Sequence, residues 1–149
     1  MKIEGEIKQS KFRSPYQKAA LNLIYTANWM EGKQQVLFKP FDITPPQFNI
    51  LRILRGQHPN KISGVEIKSR MLDRNSDIPR LLDRLVKKKF ISKSQCPGDK
   101  RATDIMITQG GLELLLKIDK LIDEAEKNSL HLTPDEATLL SSLLDKARG

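Results

Sequence analysis

The side chains whose types and spacing could do chemistry are mostly cations. Ser76, Arg80, Arg84 and Lys87 recur at intervals of three and four. On a helix turning roughly 100° per residue, that spacing lines them along one side of the cylinder. Such a row binds anions, with guanidinium groups suited to base edges and ammonium groups to phosphates. Other reactive types lack partners. His58 and His131 lie in turn-forming sequence, away from any carboxylate or cysteine in a nucleophile-like pattern. Asp119, Asp123, Glu124 and Glu126 read as a solvated helix face rather than a metal site, and Gly110-Gly111 lacks the strand and spacing of a nucleotide loop. Cys96 lies close to Lys93 and Lys100, which favour thiolate, but an exposed spectator thiol is the expectation. No catalytic residue, metal or cofactor is expected, and an enzyme is the least supported class.

The elements that must position the cations follow from the apolar residues. Ile78, Leu81, Leu82, Leu85 and Val86 form the single stripe of a helix packed on a core, opposite the cationic side. Asn75 or Asp77 is its N-cap, Pro79 falls in the opening turn, and Lys87 to Lys89 suit its negative end. Upstream, Ser63 caps a short helix from Gly64 to Met71, which makes a helix-turn-helix. Downstream, residues 90–94 and 103–107 are β-prone, and the loop between them, 95–101, is rich in turn formers and ends in Lys100-Arg101. A hairpin beside a helix-turn-helix is a wing, and Arg101 at its tip suits a narrow minor groove.

Composition sharpens this. The chain has 149 residues and a formal charge of +8. Residues 62–101 hold eleven Lys/Arg against five Asp/Glu, a net of +6, which leaves +2 for the rest. A basic excess focused on one segment marks a phosphate-binding face. An anionic membrane surface would also attract it, but no apolar span approaches the roughly 20 residues needed to cross a bilayer. The N-terminus lacks an apolar signal core, and the single cysteine excludes an intramolecular disulfide and any cysteine-based zinc cluster. A cytoplasmic protein of one domain is expected.

Residues 1–12 carry mixed charge with Ile3, Ile7 and Phe12 at loose spacing, which suits a mobile arm, or a strand or loop reaching over a partner. Ser14-Pro15 starts a long helix bearing Tyr16, Ala20, Leu23, Ile24, Ala27 and Met30, and Pro40 ends it. Thr44-Pro45 starts the next, whose buried side is Phe48, Ile50, Leu51, Ile53 and Leu54. After the wing, the helix from Gly110 carries an apolar sector of leucines and isoleucines wider than one core contact needs. Thr133-Pro134 then opens a last helix striped by Leu139, Leu140, Leu143 and Leu144. The terminal helices thus hold more apolar surface than a small reading head can cover, and a homodimer built from the first helix and the last two is inferred.

The run Arg80-Leu81-Leu82-Asp83-Arg84-Leu85-Val86-Lys87-Lys88, then Asp99-Lys100-Arg101 and Ile105-Met106-Ile107-Thr108-Gln109-Gly110-Gly111, resembles the signature of the MarR family of bacterial transcriptional regulators. Ile43-Thr44-Pro45-Pro46-Gln47-Phe48 matches a further opening common in that family. The resemblance covers most of the chain and is strongest over residues 65–116.

It implies a mainly α fold with a small β-hairpin wing (α+β): a winged helix-turn-helix of six helices. The single domain, 1–149, divides into dimerisation helices at 14–40 and 110–149 and a DNA-binding region at 45–108. It also implies a homodimeric repressor on double-stranded DNA, reading a pseudo-palindromic operator. Ser76, Asp77 and Arg80 face the major groove, Arg84, Lys87 and Lys100 lie on the DNA side, and Arg101 is the wing arginine, held by Asp99. A small aromatic effector is a further implication, with Tyr25, Trp29 or Phe48 as pocket residues. Two departures stand out: Lys89 replaces the family's glycine after the recognition helix, and Pro79 stands where Thr or Val is usual. The competing readings are a winged-helix protein–protein adaptor and a nonspecific architectural DNA binder.

Overall fold

The computed structural model covers residues 1–149; the side chains of residues 96, 99–102 and 126–129 lie outside the described set. The chain runs α1 (Ile3–Glu6), α2 (Pro15–Phe38), a 3-10 turn (Lys39–Phe41), α3 (Pro45–Gln57), β1 (Ile62–Ser63), α4 (Gly64–Arg70), α5 (Ile78–Lys87), β2 (Ile91–Cys96), β3 (Asp99–Ile107), α6 (Gln109–Ser129) and α7 (Pro134–Arg148). This is a mainly helical α+β winged-helix fold with a small antiparallel sheet.

Helix starts obey the local code. Ser14, Thr44, Ser63, Asp77, Thr108 and Thr133 each accept a hydrogen bond from the backbone N–H three residues on. At Thr44/Gln47 and Thr133/Glu136 the third residue also reaches back, closing a capping box. That bond to the Thr133 N–H holds the Glu136 carboxyl below its ordinary value.

Three elements depart from expectation: α1 and β1 are additional, and the hairpin loop is shorter, its strands running to Cys96 and from Asp99 in place of the loop expected over 95–101. Residues 3–6 form a one-turn helix, so the helices number seven rather than six. Its burial of Ile3 and its bonds to α2, Glu4 to Lys18 at 2.5 Å and Tyr25 to Glu6 at 2.5 Å, give this short segment a surface to form on. Residues 62–63 form a third strand, so the sheet order is β1-β3-β2, with Ile62 opposite Ile105. Two residues are too few for an alternation to show in sequence. The hairpin itself pairs Ile91 with Ile107 and Ser94 with Asp104, with an irregularity between Gln95 and Cys96.

One core joins these pieces. Ile50, Leu51 and Leu54 of α3, Ile67 of α4, Leu82 and Leu85 of α5, Ile105 and Ile107 of β3, and Leu115 and Ile118 of α6 are buried together. Phe38, at the end of α2, stacks on Phe48 with ring centroids 4.5 Å apart. α2 otherwise buries nothing fully, and α7 buries nothing at all.

Candidate nucleic-acid interface

α5 is anchored by Ile78, Leu82 and Leu85, and this burial turns Arg80, Asp83, Arg84 and Lys87 outward into solvent. Asp77 is the N-cap, its carboxylate accepting from the Arg80 N–H at 3.2 Å. Pro79 sits at the second helical position, where its missing N–H breaks no helical bond. Ser76 is half-buried and its hydroxyl donates to Asp73 at 3.3 Å. Two of the sequence-selected residues, Ser76 and Asp77, therefore already hold intramolecular bonds, while Arg80 and Lys87 are exposed and form no ion pair among the described residues. Arg84 is exposed too, and together with Lys88 it borders a recess beside Lys39, Asp42 and Thr44.

The neighbouring lysines are engaged. Lys88 pairs with Asp42 at 3.0 Å, and Lys93 on β2 pairs with Asp83 on α5 at 2.5 Å. The Lys93 hydrogen bond holds the Asp83 carboxyl below its ordinary value. This clamp ties wing to recognition helix and neutralises the one carboxylate in the cationic row. Asp99, Lys100, Arg101 and Cys96 fall outside the described side chains, so their expected roles rest on sequence.

The exit from α5 explains two positions of the sequence signature. Lys89 is left-handed, at φ 61°, with its N–H bonded to the Val86 carbonyl and that of Phe90 to the Leu85 carbonyl. This is the Schellman arrangement, which favours glycine at that position. The Thr108 hydroxyl donates to the Lys89 carbonyl at 2.7 Å and accepts from the Gly111 N–H at 3.2 Å. A Cβ on Gly111 would stand 2.3 Å from the Phe90 carbonyl oxygen. Glycine there lets α6 start directly against the end of the recognition helix. Further along, Arg55 of α3 grips Asp119 of α6 through bonds of 2.6 and 3.3 Å.

A groove of about 750 Å³ opens between α2, α3 and α6. Trp29 and Phe48 line it, together with Leu37, Ile122, Lys33 and Arg52. Lys33 lies 4.0 Å from the Trp29 ring centroid, and the Arg52 guanidinium 5.9 Å from that of Phe48. Tyr25 does not line the groove: its hydroxyl donates to Glu6, which also raises its pKa. Lys33 and Arg52 carried no signal in sequence, because a cation on an exposed helix face looks like any other until the fold places it beside a ring. Among the described residues, no cluster of His, Cys, Asp and Glu could hold a metal, and no helix is long and apolar enough to cross a membrane.

A model of the MarR family matches residues 43–103. The multiple antibiotic resistance protein MarR of Escherichia coli is 33% identical over 109 residues, covering 72% of this chain and 74% of that protein. A MarR transcription factor from Planctomyces limnophilus superimposes with a TM-score of 0.72 at 30% identity, over 91% of this chain and 98% of that one. A mutant of Escherichia coli MarR complexed with operator DNA does so at 0.70 and 31% identity, over 85% and 91%. With the helix-turn-helix, the wing and the outward cations of α5 in place, the chain belongs to the MarR family and is a DNA-binding transcriptional regulator.

Proposed function

We propose that two copies of the chain form a repressor that grips a pseudo-palindromic operator, one α5 entering each of two successive major grooves about 34 Å apart. The observation that carries this is the outward row of α5, Arg80, Arg84 and Lys87, set opposite the buried Ile78, Leu82 and Leu85. Arg80 reads a base edge, most naturally guanine, through its bidentate fork. Arg84, Lys87 and Lys100 bind phosphates, and Arg101 enters the minor groove from the wing with Asp99 steadying it. Ser76 and Asp77 act indirectly, by shaping the entry into α5.

Residues 14–40 and 110–149 form the dimerisation region and residues 45–108 the reading head. The support is apolar exposure: Leu139, Leu140 and Leu143 on α7, Leu23 and Ile24 on α2, and Leu116 and Leu121 on α6 all face solvent in a single chain. The groove with Trp29 and Phe48, rimmed by Lys33 and Arg52, suits a small aromatic anion. An effector bound there relieves repression by altering the spacing of the two reading heads.

The test is a binding comparison on the DNA upstream of the protein's own gene. Arg80→Ala should cost roughly 1–3 kcal/mol on the cognate site and relax discrimination there, while Lys87→Ala weakens all sequences alike. Equal losses on specific and random duplex for Arg80→Ala would remove its base-reading role. Salt-dependent binding without sequence preference would favour the architectural reading.

A further inference from the structure

The connection between α4 and α5 is a built turn in which the side chains of Arg74 and Asn75 form no recorded hydrogen bond among the described residues. The Asp73 carboxylate accepts from the Asn75 N–H at 2.9 Å and from the Ser76 hydroxyl at 3.3 Å, and its carbonyl accepts from the Ser76 N–H at 3.3 Å. One residue earlier, the Leu72 N–H donates to the Asn49 side chain of α3 at 2.9 Å, which fastens the turn to the core. Asp77 closes the far end by capping α5. Within this frame the Arg74 and Asn75 side chains are both exposed. They stand directly before the first turn of the recognition helix, the part of a helix-turn-helix that meets base edges.

From this geometry we infer that Asn75 is a specificity-determining residue, and that Arg74 is the phosphate contact that seats it; the inference rests on the operator-binding reading above. The chemistry is a matter of elimination and fit. Ser76 and Asp77 direct their polar groups back into the turn and the helix cap, so their sequence neighbours carry the free hydrogen-bonding capacity at this edge. Asn75 presents a carboxamide, donor and acceptor side by side, which matches the N6 and N7 atoms of adenine in the major groove. Arg74 is a flexible cation at a loop corner and suits the phosphate flanking that base pair. Because Asp73 and Asn49 fix the turn beforehand, little ordering is needed on binding.

The wild-type protein is first used to enrich sites from a randomised duplex pool, and the enriched duplex then serves as probe. Asn75→Ala should bind it roughly 10- to 100-fold more weakly, lose preference at one A·T pair per half-site, and keep its affinity for random duplex. Arg74→Ala should weaken both duplexes and lower the salt dependence by about one phosphate contact. Asp73→Ala keeps both side chains but frees them, and should weaken the enriched duplex a few-fold while its melting transition stays cooperative. An Asn75→Ala protein that enriches the same sites as wild type, or that loses random and enriched duplex equally, overturns the inference. If the wild type itself enriches nothing, the fault lies with the operator-binding proposal instead.

Discussion

α3 and α7 begin alike and end differently. Each opens on Thr-Pro, each closes a capping box, Thr44 with Gln47 and Thr133 with Glu136, and each carries leucine at helical spacing. Yet α3 buries Gln47, Phe48, Ile50, Leu51 and Leu54, whereas α7 buries no residue and leaves Leu139, Leu140 and Leu143 in solvent. The same local instructions therefore serve two purposes. In α3 they place a helix inside a core that one chain completes. In α7 they prepare a helix whose apolar side a single chain leaves uncovered, and the second copy proposed above would cover it.

The contrast can be broken at either end. Leu51→Ala removes a fully buried side chain and should cost roughly 2–5 kcal/mol, read as a lower denaturant midpoint at every protein concentration. Leu140→Asp combined with Leu143→Asp should leave the reading head folded but weaken self-association by 100-fold or more, about 3 kcal/mol. Sedimentation would show monomers where the parent sediments as a dimer. A monomeric parent at high concentration would mean that the exposed leucines of α7 serve something other than pairing.

Smaller effects test how tightly the reading head is set. Lys89 holds a left-handed conformation at φ 61° that costs an L-residue roughly 1–2 kcal/mol, so Lys89→Gly should stabilise the fold. The greater freedom of glycine in the unfolded chain reduces the gain, leaving about 0.5–1 kcal/mol in thermal unfolding. The smallest effect is electrostatic. Lys93 holds the Asp83 carboxyl below the ordinary value of 3.8, so folding favours the carboxylate. A group of this sign stabilises above its unfolded pKa, near 4, and loses that contribution as pH falls through the lowered folded value. The stability difference between wild type and Asp83→Asn should be level from pH 5 to 7, begin to fall near about pH 4, and be lost only at still lower pH, once the folded-state carboxyl is protonated. A difference that persists there would place the Asp83 contribution in packing rather than charge.

Much of this was legible because the information is local. The caps at Ser14, Thr44, Ser63 and Thr133 sit within three residues of the N–H they bind, and the α5 stripe repeats at the helical period, so both survive in a linear text. The choice between Asn75 and Asp77 as the cap of α5 stayed open, because both are capping types and they lie two positions apart. α5 starts at Ile78, and it is Asp77 that accepts from the Arg80 N–H. α1 and β1 escaped for another reason: four and two residues give no period, and each exists only through what it packs on or pairs with, α2 for one and β3 for the other.

By itself, the order of residues determined where helices start, which side of α5 is apolar, that a hairpin follows it, and that cations concentrate on that segment. Each of these is settled by steric and hydrogen-bonding preferences acting over a few positions. Only the tertiary structure decided which polar groups remain open. Lys88 and Lys93 meet carboxylates 46 and 10 residues away, and Trp29 and Phe48 come to share a groove with Lys33 and Arg52. Attraction between charges depends on distance in space, and that distance exists only once the core has closed.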